Sequence, residues 1–232
     1  MNPKDFVHLH VHSQYSLLHG AIFLDRLVSQ VKKFGMSAVA MTDHTNMFGA
    51  VEFYEKAKKE GIRPILGAEV YYLVKGSRLE KTHKVKDDQI AHLILLVENE
   101  EGYKNLCRLI SSSYLEGFYY KPRLDKEILE KHSKGLFALS ACAKGEIPRR
   151  IIQGNLDEAK NAAIDLARIF KDRFYLELSD HGLTHEKMVN ETLIQFSKEL
   201  KIPLVATNNA HYLCREDRSS HEALLCIQTT SL

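Results

Sequence analysis

Short apolar runs alternate with segments of helical periodicity along nearly the whole chain, and this alternation restricts the fold more than any other feature of the sequence. Runs suited to strands lie at residues 6–12, 36–43, 64–73, 92–98, 135–141, 173–179 and 203–208. Between them apolar residues recur at spacings of three and four. Leu24, Leu27, Val28, Val31 and Phe34 precede Gly35, and Met47, Ala50, Phe53, Tyr54 and Ala57 precede Gly61. Further helices are expected at 100–113, 125–133, 155–170 and 185–200, the third opening on Asn155 and Glu158 in capping-box spacing. Strand-then-helix units in such number imply an α/β fold and favour a closed or nearly closed barrel. The open doubly wound alternative lacks its G-x-G-x-x-G turn after the first strand.

The 232 residues fit one domain spanning 1–232, and 44% hydrophobic residues supply a sizeable core. A formal charge of +2 gives no global basic field, so nucleic acid is neither demanded nor excluded. No stretch resembles a signal peptide or a membrane span, and a cytoplasmic chain that does not engage a membrane is expected. Cys107, Cys142, Cys214 and Cys226 show no C-x-x-C pairing, which points to thiols or metal thiolates and away from a disulfide framework. The lysine-rich segment Lys75 to Asp88 reads as a mobile surface loop.

The strand ends carry the functional signal. In the run Phe6 to Ser13, alternation places His8, His10 and His12 on one face and Val7, Leu9 and Val11 on the other. At ~3.3 Å per residue the Cα atoms of His10 and His12 lie roughly 6.6 Å apart, close enough for their rings to share an ion. His19 follows in the next turn, Asp43 and His44 end the second run, and Cys142 and His181 close the fifth and sixth. Asn209 and His211 share a face at the last. Glu69 interrupts the apolar run Ile65 to Val70, where an ionised carboxylate is costly unless paired or metal-bound. Singly, each has a plainer reading: Asp43 as the cap of a helix near Asn46, Cys142 as a core thiol. Collectively they form a mixed N, O and S donor set suited to two or three divalent transition metals such as zinc, manganese or iron. Metals ~3.5–4 Å apart can clamp a phosphoryl group. Tyr119, Lys121 and Arg123, in the aromatic and basic stretch Tyr114 to Arg123, suit stacking on a single-stranded DNA end; packing of that loop is the competing reading.

His10-Val11-His12-Ser13, Thr42-Asp43-His44, Gly67-Ala68-Glu69, Ser140-Ala141-Cys142 and Thr207-Asn208-Asn209-Ala210-His211-Tyr212 resemble, in order, the motifs of the polymerase and histidinol phosphatase (PHP) family. Tyr15 to Leu18, Phe48 to Tyr54, Tyr114 to Tyr119 and His221 to Gln228 further resemble its polymerase branch, the N-terminal domain of bacterial replicative DNA polymerase alpha subunits. The resemblance implies a distorted seven-stranded (β/α)7 barrel with a metal cluster at the C-terminal strand ends. It places His10, His12, His19, His44, Glu69, His92, Cys142, Asn209 and His211 at the ligand positions. His19 and Asn209 stand where that branch commonly has aspartate, and the Asn209 carbonyl is a poorer ligand than a carboxylate. His92 opens its run instead of ending it, so its strand either runs against its neighbours or starts earlier.

The chemistry implied is metal-dependent phosphoester hydrolysis, a 3′-5′ exonuclease acting on a DNA 3′ end, with Asp43 or His181 handling protons. Two alternatives stand beside it. One is a metal-braced module that docks the remaining polymerase domains or a separate exonuclease subunit; the other is a free-standing histidinol-phosphatase-like enzyme. The segment from about 217 to 232, with Leu224, Leu225 and Ile227, reads as the start of a connection to a polymerase core.

Overall fold

A computed structural model describes residues 3–81 and 89–229, so half of the expected mobile loop, residues 82–88, lies outside the described residues. Its elements, in chain order, are α1 (Leu24–Lys33), β1 (Ala38–Met41), α2 (Ala50–Lys59), β2 (Arg63–Leu73), β3 (Ile90–Val97), α3 (Glu100–Leu115), α4 (Lys126–Lys131), β4 (Leu136–Leu139), α5 (Glu146–Ile152), α6 (Leu156–Phe170), β5 (Phe174–Leu178), α7 (Thr184–Leu200), β6 (Leu204–Ala206) and α8 (Arg218–Thr229). The strands pair in the order β1-β2-β3-β4-β5-β6. Among the described residues no helix is long and apolar enough to cross a membrane.

The expected first strand is the clearest departure from the sequence reading. Among the described residues six strands form ladders, whereas the run 6–13 pairs only through isolated bridges, Val11 with Ala210 and Ser13 with Ile22. The cause is local. Ala40 N donates to His8 O and Thr42 N to Val11 O, so three residues on one side match two on the other. Val11 N then turns to the Thr42 side chain, at 2.9 Å, in place of a ladder carbonyl.

β1 pairs parallel with β2, β4 with β5, and β5 with β6. β3 and β4 are antiparallel, with Ile94 opposite Leu139, so the repeat is not wholly parallel. This answers the question His92 posed: an antiparallel strand brings its start to the end where β4 finishes, and Cys142 follows β4 there.

The chain divides into two compact units, Met1–Ala68 with Asn208–Leu232, and Glu69–Thr207. In the first, Leu24, Val28 and Val31 of α1 meet Val39 and Met41 of β1 and Phe53 of α2 in one core. Each such side chain contributes about 1.5–3 kcal/mol on full burial. α1 and α2 stop where read, at Gly35 and Gly61, whose φ angles of +69° and +75° favour glycine. In the second unit Leu93, Ile94 and Leu95 of β3 are fully buried, which requires cover on both faces of that strand. The expected capping box at α6 does not form. Asn155 sits at ψ 67°, makes no side-chain cap, and Glu158 pairs with Arg150 at 3.0 Å.

Candidate functional site

In the first unit five of the expected ligands form one contiguous group of imidazoles. Ring centroids lie 4.2 Å apart for His12 and His44, 4.3 Å for His12 and His211, 5.1 Å for His10 and His12, and 4.6 Å for His19 and His44. His10 and His12 are fully buried, with their Nε2 atoms 3.1 Å apart. Two metal–nitrogen bonds of about 2.0–2.1 Å at octahedral or tetrahedral angles put the nitrogens about 2.8–3.4 Å apart, so the pair matches one edge of a coordination shell. His8 does not join the group. The slip in its segment breaks the period-2 pattern, and its ring packs edge-on to Phe6, where burial lowers its pKa.

The backbone that carries these rings is tied from both sides. Ala210 N donates to His10 O at 3.0 Å and His12 N to Ala210 O at 2.8 Å, which sets the Asn209–His211 segment beside the first one. Asn209 Oδ1 is buried and has no hydrogen-bond partner among the described residues, an acceptor with nothing to accept. That is costly in a metal-free chain and suits a cation. At His19, Gln228 Nε2 of α8 lies 2.7 Å from Nε2, and His221 Nε2 lies 2.9 Å from His19 O.

Asp43 is fully buried and does not cap a helix. It accepts from Ser13 N at 2.7 Å, Ser13 Oγ at 2.7 Å and Ser16 Oγ at 2.6 Å, which fastens the 13–16 turn under His12. The helix α2 begins later, at Ala50, after a turn that Asn46 makes by accepting from Phe48 N.

Seven non-glycine residues have positive φ among the described residues, and four of them are at or next to an expected ligand: Leu18, Thr45, Ala141 and Asn209. Such conformations cost about 1–3 kcal/mol each and gather where a site dictates the backbone.

The second unit supplies the remaining expected ligands. Glu69, on β2, is buried and bonded through Oε1 to His92 Nδ1. His92 N donates to Lys144 O at 3.1 Å and Gly145 N to Cys142 O at 2.7 Å, so the turn after β4 is pinned to the start of β3. Burial and the Glu69 carboxylate push the Cys142 thiol up to about 12, with Glu177 adding to the shift and the Lys144 backbone opposing it. A metal would reverse that preference by binding the thiolate.

Glu177, on β5, was not singled out by the sequence reading. It is buried and accepts from Thr207 Oγ1 at 2.5 Å. The signal was present in Phe174-Tyr175-Leu176-Glu177-Leu178, a carboxylate within an apolar run, as at Glu69.

His181 pairs through Nδ1 with Glu186 at 2.6 Å, and Glu186 also accepts from His181 N and Leu183 N, closing the start of α7. Of the residues read as a DNA contact, Arg123 is fully buried. Its Nε donates to Gly117 O and its second terminal nitrogen to Arg78 O and Glu80 O, and its guanidinium covers the Tyr119 ring at 5.3 Å. Lys121 lies over the Tyr71 ring at 5.4 Å. The burial of Arg123 and the carbonyls of its own unit that take its Nε and one terminal nitrogen favour the packing reading of this loop at that residue.

Residues 8–181 match the profile of the PHP domain. The chain belongs to the PHP domain family. It is 50% identical to DNA polymerase III subunit alpha of Borreliella burgdorferi and 47% identical to that of Thermus aquaticus, each over 97% of this chain. The subunit of Aquifex aeolicus is 45% identical over 97% of the chain. The chain spans only 18–20% of the length of these relatives. Its fold is similar to that of a candidate metal-dependent phosphoesterase from Bifidobacterium adolescentis, with a TM-score of 0.59 at 13% identity, covering 89% of this chain and 87% of that one. An amidohydrolase from Chromobacterium violaceum, with bound sulfate and no metal, gives a TM-score of 0.55 at 15% identity, covering 94% of this chain and 96% of that one.

Proposed function

We propose that this chain is the PHP domain of a bacterial replicative DNA polymerase III alpha subunit, and that it is a metal-dependent phosphoesterase which removes nucleotides from a DNA 3′ end. The observation that carries the metal reading is the pair of buried ring nitrogens, His10 and His12 Nε2, aimed at one another at 3.1 Å. His10, His12, His19, His44, Asn209 and His211 of the first unit would hold divalent ions, and Glu69, His92 and Cys142 of the second are a donor set of the same kind, for two or three ions of zinc, manganese or iron in all. Residues 6–13 would take the place of the seventh strand of the distorted PHP barrel. Bound divalent metals supply Lewis-acid polarisation of a phosphate and lower the pKa of a water. Ser13 and Ser16 use both Asp43 oxygens, which makes Asp43 a support for the histidines. His181, oriented by Glu186, is then the better candidate to hold or deliver a proton. The partners proposed are a DNA 3′ terminus, the remaining polymerase domains and a separate exonuclease subunit.

A second reading, a metal-braced module without turnover, is favoured by Asn209, whose neutral amide bridges metals poorly. The two separate in one assay. Manganese-loaded protein should shorten a 3′-labelled single-stranded oligonucleotide, and His12→Ala and His44→Ala should each abolish this with the fold retained. Activity that persists in both variants contradicts the enzymatic reading, and a parent inactive with every metal tried favours the module.

A further inference from the structure

The Ser16 hydroxyl makes three hydrogen bonds, and its single proton decides their directions. Its Oγ lies 2.6 Å from Asp43 Oδ1, 3.0 Å from His12 Nδ1 and 3.1 Å from His44 N. A backbone N–H can only donate, so His44 N takes one Ser16 lone pair. Asp43 accepts from Ser13 N at Oδ1 and from Ser13 Oγ at Oδ2, and the Ser16 hydroxyl donates to Oδ1 as well, so the Ser16 proton points to Asp43. What remains on Ser16 is one lone pair facing His12 Nδ1. For that contact to be a hydrogen bond the proton must sit on Nδ1, which leaves Nε2 bare.

We propose that Ser16 is a positioning residue that fixes His12 as the Nδ1–H tautomer and turns a bare Nε2 toward His10. The inference rests on the reading of His12 as a metal ligand for its purpose, though the proton count stands without a metal. It also explains the 3.1 Å approach of the two Nε2 atoms: with His12 bare, His10 Nε2 supplies the one proton between them in the metal-free chain. For His10 to offer the same nitrogen to a divalent cation, its proton would have to move from Nε2 to Nδ1, a change of tautomer that His12 would not need. Partners of this kind orient ligating histidines and raise their affinity for metal. Ser16 belongs to none of the histidine or carboxylate patterns through which the strand ends were read. It lies four residues after His12, on a turn that Asp43, twenty-seven residues further on from Ser16, helps to hold in place.

Long-range proton–nitrogen correlation spectra of the metal-free 232-residue chain, labelled with nitrogen-15 in histidine, read the tautomer directly. His12 is expected to show a protonated Nδ1 and an unprotonated Nε2 at neutral pH; a protonated Nε2 overturns the proposal. Ser16→Ala is expected to shift His12 toward the other tautomer, whose Nε2–H can then donate to His10, and to weaken zinc binding by about 10–100-fold. Ser16→Thr keeps the hydroxyl and should retain the parent tautomer. An unchanged tautomer in Ser16→Ala overturns the proposal as well. The parent spectrum decides the question even if Ser16→Ala fails to fold. A parent with the expected tautomer that takes up no zinc contradicts the metal reading and upholds the role of Ser16.

Discussion

Arg123→Ala separates a structural guanidinium from a DNA contact, and the structure fixes the size of the effect. The parent side chain is fully buried and donates to Gly117 O at 2.9 Å, Glu80 O at 3.0 Å and Arg78 O at 3.2 Å. Hydrogen bonds from a charged donor are worth about 1.5–3 kcal/mol each, but removing the guanidinium also removes its own desolvation cost. The three therefore do not add. The expected loss is about 3–5 kcal/mol, because three carbonyl acceptors lose their donor, at about 1–3 kcal/mol for each one left unsatisfied, and the relief of guanidinium desolvation offsets part of the sum. For a chain of this length that lowers the melting temperature by about 6–20 °C. Arg123→Lys keeps the charge without the fork and should still lose about 2 kcal/mol, because one ammonium cannot reach carbonyls on both sides. Urea denaturation gives the totals, and hydrogen exchange at residues 76–81 and 116–123 should localise the loosening. A loss below about 1 kcal/mol in Arg123→Ala, or weaker oligonucleotide binding at unchanged stability, would refute this reasoning and return Arg123 to the DNA contact first read from the sequence.

Asn209→Asp should act with opposite sign in two states. It places a charge at a buried acceptor that has no partner among the described residues, so the metal-free melting temperature should fall, while metal affinity should rise about tenfold, as calorimetry with manganese would show. Gln228→Leu removes the amide held 2.7 Å from His19 Nε2, one of the two nitrogens a metal could take, and should tighten metal binding in the same titration; unchanged affinity would remove His19 from the ligand set. Acid should open the start of α7. Burial raises the Glu186 carboxyl, but hydrogen bonds from the His181 side chain and from the His181 and Leu183 backbone outweigh it and hold the pKa below the usual range. A lowered folded-state value means the contribution is complete above the ordinary carboxylate pKa of about 4.3 and is lost as pH falls through the folded one. Amide exchange at residues 183–187 between pH 6 and pH 3 should show this, and Glu186→Gln should abolish the dependence.

Periodicity carried the α/β layout because it reports burial, and burial was what formed these elements: α1 and α2 end at the glycines that the spacing marked. What periodicity does not report is where individual hydrogen bonds go. Val11 N bonds to the Thr42 side chain, and a strand legible as alternation became a bridged, slipped segment. Asn155 had the right neighbours for a cap and the wrong ψ. Arg123 looked like a surface cation because its three carbonyl acceptors come from residues 6, 43 and 45 positions away. The histidines were legible because imidazoles at strand ends are conspicuous. Ser16 and Gln228, which act on those histidines, lay in family-like segments but not among the site residues, since a serine in a turn and a glutamine on a solvent-facing helix are ordinary residues until the chain brings them to a ring nitrogen.

The most direct test of the metal reading is elemental analysis of the full chain purified without chelator, paired with thermal melts before and after chelation. At least two transition-metal ions per chain are expected, with a fall in melting temperature once they are stripped, because binding to the folded state alone stabilises it. Fewer than one ion per chain, with no uptake from added zinc or manganese and no change on chelation, would contradict it.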